Sequence, residues 1–471
     1  MSTTNSTLTQ AILEEENSTR TDNGMRALKS SLNANVDLFF NGGAMRGKSE
    51  KEIIEIFSKA YNEDKQTAMK LLGYLRNPRG GQGEKKFTQT LIPYLADKGE
   101  SVEKLAYLAK ELGYWKDLFK LFDTKHESQL LDVIKDSLLN KKDGLLAKYL
   151  DRKGIQANKV RKHLKIQTPK EYRKLLVGLT KVVEQQMCAK EFDKIKYESV
   201  PSKAMSNYSR SFAKHDAGRF NKFIDEAKTG AVKINSSVLY PYELVQKVKV
   251  DKNTAIAQWN QLPDFIGNDK ANFLVVADSS GSMTGGSPSP HDVAISLAIY
   301  LSEKCKGVFK DTFITFSEKP QLQILTGDLY DKVKQIREIN AGSTNLESVF
   351  NLILDTAVKN KLVQADIPTH LAILSDMRYD VACTNSNHTA MEMIKDKFRQ
   401  SGYEVPGIIF WNLRSSPNGN FPVTFNENGV ALVSGFSPSI MKSILNGGEL
   451  SPMTIMKKAI DLPLYEPLAK Y

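Results

Sequence analysis

Past residue 270, short apolar runs alternate with amphipathic helical patterns, and this alternation limits how the second half of the chain can fold. The predicted elements are strands at 272–278, 308–316, 370–376 and 407–413, and helices at 291–304, 345–360 and 389–400. Such short apolar runs are typical of parallel strands that are covered on both faces. We therefore predict a doubly wound α/β domain over residues 265–471, with a hairpin-like edge at 421–433 and closing helices at 437–446 and 452–460.

Three oxygen-rich segments adjoin these elements. Asp278-Ser279-Ser280-Gly281-Ser282 follows the first strand, Gly342-Ser343-Thr344 precedes a helix, and Ser375-Asp376 ends the third strand. Loops at the carboxyl ends of the strands share one edge of a doubly wound sheet, where ligands bind. Carboxylate and hydroxyl oxygens suit a hard cation, Mg²⁺ first and Mn²⁺ or Ca²⁺ as alternatives. The predicted ligand set of this divalent-cation site is Asp278, Ser280, Ser282, Thr344 and Asp376.

Two interpretations of this set stay open. In the first, a cation is bound and few charges contact it, which leaves a coordination position for the carboxylate of a partner protein. In the second, the site is vestigial, and the same polar groups only cap the helix after Ser282 and brace the loops.

The pattern resembles the metal-ion-dependent adhesion site of von Willebrand A domains. That family has Asp-x-Ser-x-Ser, then a Thr, then an Asp after a later strand, and all five positions match here in the same order. The resemblance implies direct ligation by Ser280, Ser282 and Thr344. It implies that Asp278 and Asp376 act mostly through water.

Helical patterns dominate residues 31–250. Ser49 and Asp64 each precede a stretch whose apolar residues recur at helical spacing, and Asn77 to Gly81 breaks the second stretch. Helix pairs recur at a period of very roughly 35 residues, which is typical of stacked α-helical repeats. Residues 1–30 are polar at their start and carry no apolar signal segment, so we expect a flexible tail.

The excess positive charge lies in the helical half. Residues 271–471 hold 18 Lys or Arg against 20 acids, whereas residues 1–270 hold 47 against 34. Residues 148–174 alone carry ten Lys or Arg against two acids. Such asymmetry favours a polyanion partner over a merely solvated surface. On charge alone, the predicted RNA contacts are Lys148, Arg152, Lys153, Lys159, Arg161, Lys162, Lys165, Arg173, Lys174 and Arg210.

Five ordered motifs carry a second resemblance. They are Leu71 to Glu84, Gly113 to Leu118, Leu145 to Leu150, Ser375 to Asp380 and Phe410 to Leu413. The first resembles the early segment of the TROVE module in the Ro autoantigen class, and the set is more similar to an uncharacterised sister family of that class. The resemblance implies a ring of HEAT-like helices that is closed by the von Willebrand A domain. In Ro proteins such a ring binds small structured or misfolded non-coding RNA, but no RNA-contact motif aligns here residue by residue.

Several classes of protein are not indicated. Three widely separated cysteines without a C-x-x-C pair argue against a disulfide framework or a zinc site, so the cytoplasm is the expected location. The chain has no apolar run of membrane-spanning length, and no membrane partner is expected. Gly80 to Lys85 follows a helix and fits a turn with positive φ better than a phosphate loop, and Ser280 lies in no G-x-S-x-G elbow.

The predicted function is therefore a Ro-like RNA-binding protein with a metal-site domain that recruits a partner. The alternative is a metal-dependent interaction scaffold that does not bind RNA. No residue pattern indicates an enzyme; a nuclease that uses the cation is a weaker third option.

Overall fold

The computed structural model describes residues 12, 15–267, 272–306, 308–316, 319–337, 344–381, 387–416, 419–445 and 448–470. Within these, residues 31–260 are mostly helical, and residues 272–470 combine helices with a six-stranded sheet. The prediction of a helical half followed by an α/β half is confirmed at this coarse level. Gly342, Ser343 and Cys383 lie outside the described residues, as does most of the expected tail before residue 15.

Residues 15–30 include a hairpin that pairs with the C-terminal half. Strands β1 (Ser18–Arg20) and β2 (Arg26–Leu28) are antiparallel. The backbones of Leu28 and Phe421 exchange two hydrogen bonds of 2.8 and 3.0 Å. The expectation of a flexible tail over residues 1–30 is therefore corrected for residues 15–30, because backbone pairing with a distant segment leaves no trace in local composition.

Fifteen helices follow in the described helical part. They are α1 (Ala34–Gly42), α2 (Glu50–Glu63), α3 (Lys65–Arg76), α4 (Lys85–Asp97), α5 (Val102–Tyr107, continued by a π-helical turn to Leu112), α6 (Trp115–Leu118), α7 (Glu127–Leu139), α8 (Gly144–Tyr149), α9 (Gly154–His163), α10 (Pro169–Leu179), α11 (Val183–Cys188), α12 (Ser202–His215), α13 (Ala217–Lys228), α14 (Pro241–Lys247) and α15 (Lys252–Asn260). Polar side chains just before several helices determine where those helices begin. Ser49 and Glu52 form a reciprocal capping box before α2, and Asp64 accepts the Thr67 N–H before α3.

The six-stranded sheet contains β3 (Phe273–Ala277), β4 (Thr312–Thr315), β5 (Leu322–Ile324), β6 (His370–Ser375), β7 (Gly407–Asn412) and β8 (Val430–Ser434). Its strand order is β5-β4-β3-β6-β7-β8. All neighbours are parallel except β5, which is an antiparallel edge strand on β4. The accompanying helices are α16 (Pro290–Lys304), α17 (Leu329–Arg337), α18 (Leu346–Lys359), α19 (Ala390–Gln400), α20 (Met441–Leu445), α21 (Pro452–Ile460) and α22 (Glu466–Ala469).

The predicted hairpin-like edge at 421–433 is wrong. Only residues 430–434 form a strand, and β8 pairs in parallel with β7. All five residues of β8 are buried, since α1 and α21 pack against this strand. A parallel strand needs a crossover connection rather than a tight turn, so the segment before β8 cannot form a hairpin with it.

Elements from the two halves share one apolar core. Side chains from α1 to α10 and from the sheet belong to a single buried cluster. Helix α1 packs on β8, and α22 packs on α3. Residues 183–234 instead bury a smaller cluster of their own, centred on aromatic side chains such as Tyr197, Phe212 and Phe220.

None of the helices in the described ranges combines the length and the apolar character that a membrane crossing requires.

Candidate metal centre

The strand order reverses between β3 and β6, which are parallel neighbours with Ala277 opposite Leu374. Asp278 extends this ladder by donating its backbone N–H to the carbonyl of Leu374 at 2.9 Å. Asp278 and Asp376 therefore emerge at the same carboxyl edge of the sheet. In doubly wound sheets, ligands bind in the crevice at such a switch point.

Asp278 is held in place by two hydrogen bonds. One carboxylate oxygen accepts the Ser280 N–H at 2.9 Å, and the other accepts the Ser375 hydroxyl at 2.7 Å. Burial, together with the nearby charge of Asp376, nevertheless raises the pKa of Asp278 to about 6. The carboxylate is thus oriented by its neighbours, but its negative charge is only partly compensated.

Asp376 is fully buried, and neither of its carboxylate oxygens has a hydrogen-bond partner among the described residues. The nearest cation is Arg378, whose Nε lies 3.4 Å from Oδ2. Burial raises the pKa of Asp376, and the charge of Arg378 and the neighbouring Ser282 hydroxyl oppose that effect only in part. Because buried carboxylate oxygens are nearly always bonded in folded proteins, these two atoms are available to a ligand.

The two serine hydroxyls lie beside the carboxylates. Ser280 Oγ and Ser282 Oγ are 2.9 Å apart, and Ser282 is close enough to Asp376 to lower its pKa. Arg414 secures this loop by donating to the carbonyl oxygen of Ser282 at 2.6 Å. The structure thus brings Asp278, Ser280, Ser282 and Asp376 together, as the sequence predicted.

Thr344 lies against the loop that follows β6. Its buried hydroxyl donates to Asp380 Oδ1 at 2.7 Å and accepts from Asn23 Nδ2 at 2.6 Å. In the described part of the chain, its side-chain bonds therefore go to these two residues and not to the serines. One lone pair of the hydroxyl oxygen stays free for a cation.

The arrangement fits a divalent cation. Two neighbouring buried carboxylates with raised pKa values concentrate negative charge, and Asp376 offers two unbonded oxygens. Carboxylate and hydroxyl oxygens are ligands that Mg²⁺ accepts while it retains several waters. Across the described ranges, no group of three or more His, Cys, Asp or Glu side chains is placed to hold a metal, so hydroxyls and water would complete the set.

Sequence reasoning missed the residues that support this centre. Ser375 orients Asp278, and Arg378 connects Asp376 to the N-terminal hairpin through an ion pair with Asp22 at 2.8 Å. Their positions beside Asp376 were a usable signal. No pattern in the sequence indicated Asn23, because more than 300 residues separate it from its partner Thr344.

Several predicted RNA contacts are already engaged within the molecule. Lys159 pairs with Asp123 at 2.5 Å and with Glu127 at 2.7 Å, and Lys148 pairs with Glu184 at 3.2 Å. A carboxylate paired with an ammonium repels a phosphate, so the pair attracts a phosphate less than a free ammonium does.

Three predicted arginines bond to backbone carbonyls. Arg161 donates to the carbonyls of residues 166 and 167 at 2.9 and 2.6 Å, just past the end of α9. Arg210 donates to residue 250, and Arg152 makes longer contacts of 3.4 and 3.5 Å near the end of α8. The remaining predicted contacts are exposed; they are Lys153, Lys162, Lys165, Arg173 and Lys174.

Comparisons with known proteins cover nearly the whole chain. Residues 272–461 match a family model described as Domain of unknown function (DUF7788), and residues 21–149 and 138–270 match one described as Domain of unknown function (DUF2828). The chain is also similar to "Uncharacterized protein L728" of Acanthamoeba polyphaga mimivirus. The two are 29% identical over 511 residues, which cover 95% of this chain and 88% of that protein. Because its match takes in more than half of the residues, the chain belongs to the DUF2828 family.

Proposed function

We propose that this chain is an RNA-binding protein of the Ro-like type, whose HEAT-like helical half binds structured or misfolded non-coding RNA. Its α/β half acts as a von Willebrand A domain that closes the helical module and recruits a protein partner through Mg²⁺. Both activities are proposed for the cytoplasm. The observation that best supports RNA contact is the group of exposed cations on and beside α9 and α10.

Exposed Lys and Arg side chains neutralise phosphates and release counterions, so affinity for RNA falls steeply with salt and depends little on sequence. The exposed members of the group are Lys153, Lys162, Lys165, Arg173 and Lys174. Arg161 is a poor probe of this surface, because its guanidinium closes the turn after α9 and its replacement would disturb the fold.

The test is a salt titration of binding to a structured RNA with an exposed 3′ end. Reversing the charge at Lys162, Lys165 and Arg173 should weaken binding and reduce the slope against salt by about one per lost phosphate contact. The matched control reverses Lys334, Lys359 and Lys361, which are exposed on the α/β half and change the net charge equally. Tight binding that survives the first triple variant contradicts the proposal.

The metal half of the proposal rests on the unbonded oxygens of Asp376 beside Asp278. Ser280, Ser282, Thr344 and these carboxylates, in part through water, would hold the cation. It would offer a coordination position to a partner's carboxylate. The residues themselves orient the site: Ser375 fixes Asp278, and Arg414 holds the serine loop.

Thermal unfolding with MgCl₂ or MnCl₂ tests this part. The wild type should gain stability with cation concentration, and the Ser280→Ala, Ser282→Ala double variant should lose that gain. Ser279→Ala is the matched control, since this hydroxyl donates to the carbonyl of Phe316 instead. Equal stabilisation of all three proteins would rule out ligation by the serine pair.

The second candidate function is a metal-dependent interaction scaffold that does not bind RNA. The pairing of Lys148 and Lys159 with carboxylates favours it, because these cations already serve the fold. A pull-down that Asp278→Ala abolishes, with no copurifying nucleic acid, would select this candidate.

A further inference from the structure

A cavity of about 900 Å³ lies between the early helices and the segment around residue 240. Its wall combines residues from 46–149 with residues from 203–243. Seven Lys or Arg side chains line it against four carboxylates, and five aromatic side chains are interleaved among them. A concave site with convergent cations and flat apolar surfaces is suited to an anionic ligand that carries a ring.

Some of these cations are compensated and others are not. Arg46 pairs with Glu84 at 2.7 Å, and Lys203 pairs with Glu243. In the ranges that the structure describes, Arg79 and Lys85 form no ion pair, and both side chains are exposed at the cavity. The wall therefore carries positive charge that the protein does not itself neutralise.

Two buried donors at the same wall lack partners. Arg76 is 2% exposed and donates from Nε to Asp117 at 2.6 Å, but its Nη2 has no hydrogen-bond partner in the described residues. The buried hydroxyl of Tyr240 has none either. Buried donors are nearly always satisfied, so two unpaired ones lining one cavity point to a ligand.

The loop before α4 brings backbone to the same place. Gly83 has φ of +65°, which confirms the predicted turn with positive φ, and a Cβ there would lie 2.0 Å from the Tyr240 hydroxyl oxygen. Helix α4 follows, and Glu84 at its N-cap makes no side-chain cap bond. The Glu84 carboxylate instead pairs with Arg46 at 2.7 Å, so this acidic residue of the wall is already neutralised within the protein.

We propose that this cavity binds the phosphate group of a nucleotide through Arg76, Arg79, Lys85 and Tyr240. Phosphate oxygens accept several charge-assisted hydrogen bonds at once, which matches these converging donors. Tyr149 lines the same cavity and stacks on Tyr114 with ring centroids 5.6 Å apart. Because Arg76 and Lys85 lie over the Tyr114 ring at 4.8 and 5.1 Å, Tyr149 is the ring that would stack on the base in this proposal. The phosphate belongs either to a free nucleotide or to the end of a short oligonucleotide, and the site is distinct from the exposed cations of α9 and α10.

The experiment is calorimetric titration of the full chain with adenosine 5′-monophosphate, a 5′-phosphorylated trinucleotide and adenosine. The Arg79→Gln, Lys85→Gln double variant should weaken binding of the phosphorylated ligands about tenfold or more, because each lost bond is charge-assisted. Tyr240→Phe removes only the unpaired hydroxyl and should weaken binding less. Lys153→Gln with Lys162→Gln makes the same charge change at the other surface and should leave these affinities unchanged. Arg76 is not replaced, because its buried ion pair supports the fold.

Binding of either phosphorylated ligand, lost in the cavity variants and kept in the control, supports the proposal and identifies the source of the phosphate. Failure of both phosphorylated ligands to bind overturns it. So does adenosine that binds as well as its monophosphate, or a loss of equal size in the control. The control changes only the exposed cations near α9. The RNA proposal can therefore fail while this phosphate site is supported, and the phosphate site can fail while the RNA proposal is supported.

Discussion

At the scale of single residues, Asp376 carries a fully buried carboxylate whose ion-pair partner among the described residues is Arg378, at 3.4 Å. A buried charge without hydrogen bonds costs free energy that a bound cation would recover. Asp376 therefore destabilises the cation-free protein, and a bound cation would remove that cost.

Asp376→Asn should raise the unfolding temperature in the presence of a chelator, because the amide keeps the shape and removes the buried charge. It should also abolish stabilisation by added Mg²⁺. Thermal unfolding in chelator and in MgCl₂ measures both effects, with Asp355→Asn on the exposed face of α18 as the control. A lower unfolding temperature in chelator would mean that attraction to Arg378 outweighs the burial cost.

Asp37 gives a prediction for pH. Its carboxylate accepts from the Ser31 N–H at 2.7 Å and from the Ser31 hydroxyl at 2.5 Å, yet burial raises its pKa from 3.8 to about 6. The folded state then binds this proton more tightly than the unfolded state, so its contribution to stability falls as pH rises through that interval.

Asp37→Asn should remove that fall. The change in unfolding temperature between about pH 4 and about pH 6.5 should be more favourable in the variant than in the wild type. An unchanged pH profile would show that Asp37 titrates normally in the folded protein.

Site residues that lie at the ends of neighbouring strands could be predicted from the sequence, and residues that reach the site from a distant segment could not. Asp278 and Asp376 could be named because each ends an apolar strand, and parallel strands end at one edge. Asn23 and Asp22 reach the same edge from the other end of the chain, and no local pattern indicates such a contact.

At the scale of elements, the end of α1 and the end of β8 approach each other so closely that backbone contacts backbone at Gly43. A Cβ on Gly43 would lie 2.8 Å from both Gly435 Cα and the carbonyl oxygen of Ser434. Both are backbone atoms, so the neighbouring strand would have to shift to make room. Close approach of this helix end to the sheet thus depends on the missing side chain.

Gly43→Ala should cost about 1–3 kcal/mol of unfolding free energy through this overpacking. Gly47→Ala, a few residues further along, has no atom within 4 Å of its new methyl group and should be neutral or slightly stabilising. Urea unfolding of the two variants measures the difference. Equal stability would contradict close packing of α1 on β8.

Elements that local chemistry specifies were predicted well. The caps at Ser49 and Asp64 open α2 and α3, and the apolar runs at 273–277 and 370–375 are buried strands. Elements that depend on distant partners were not. β5 is a largely exposed edge strand, and β8 pairs in parallel with β7 and packs against α1 and α21.

At the scale of the whole molecule, the two halves are not independent packing units. One apolar cluster runs from α1 through the sheet. Near residue 468 the chain returns to α3: Leu468 Cδ1 lies 2.6 Å from the position of a Cβ on Gly73, and the Tyr465 hydroxyl accepts from Asn77 at 3.1 Å.

Leu468→Ala should therefore destabilise the helical half, although the residue belongs to the other half. Removal of a buried leucine side chain costs about 2–5 kcal/mol, and α3 should lose protection from hydrogen exchange. Leu464→Ala is the matched control, because that side chain is 41% exposed. Unchanged protection of α3 in the Leu468→Ala variant would show that packing of Leu468 does not stabilise the helical half.

The return of α22 to α3 also sets an order for biosynthesis. Residues 65–76 leave the ribosome long before residues 465–468 exist, so the nascent helices carry an uncovered apolar face throughout translation of the sheet. Such a face invites chaperone binding or misassembly until the later segment arrives. Completion of the helical half is thereby postponed until the strands of the sheet have been translated.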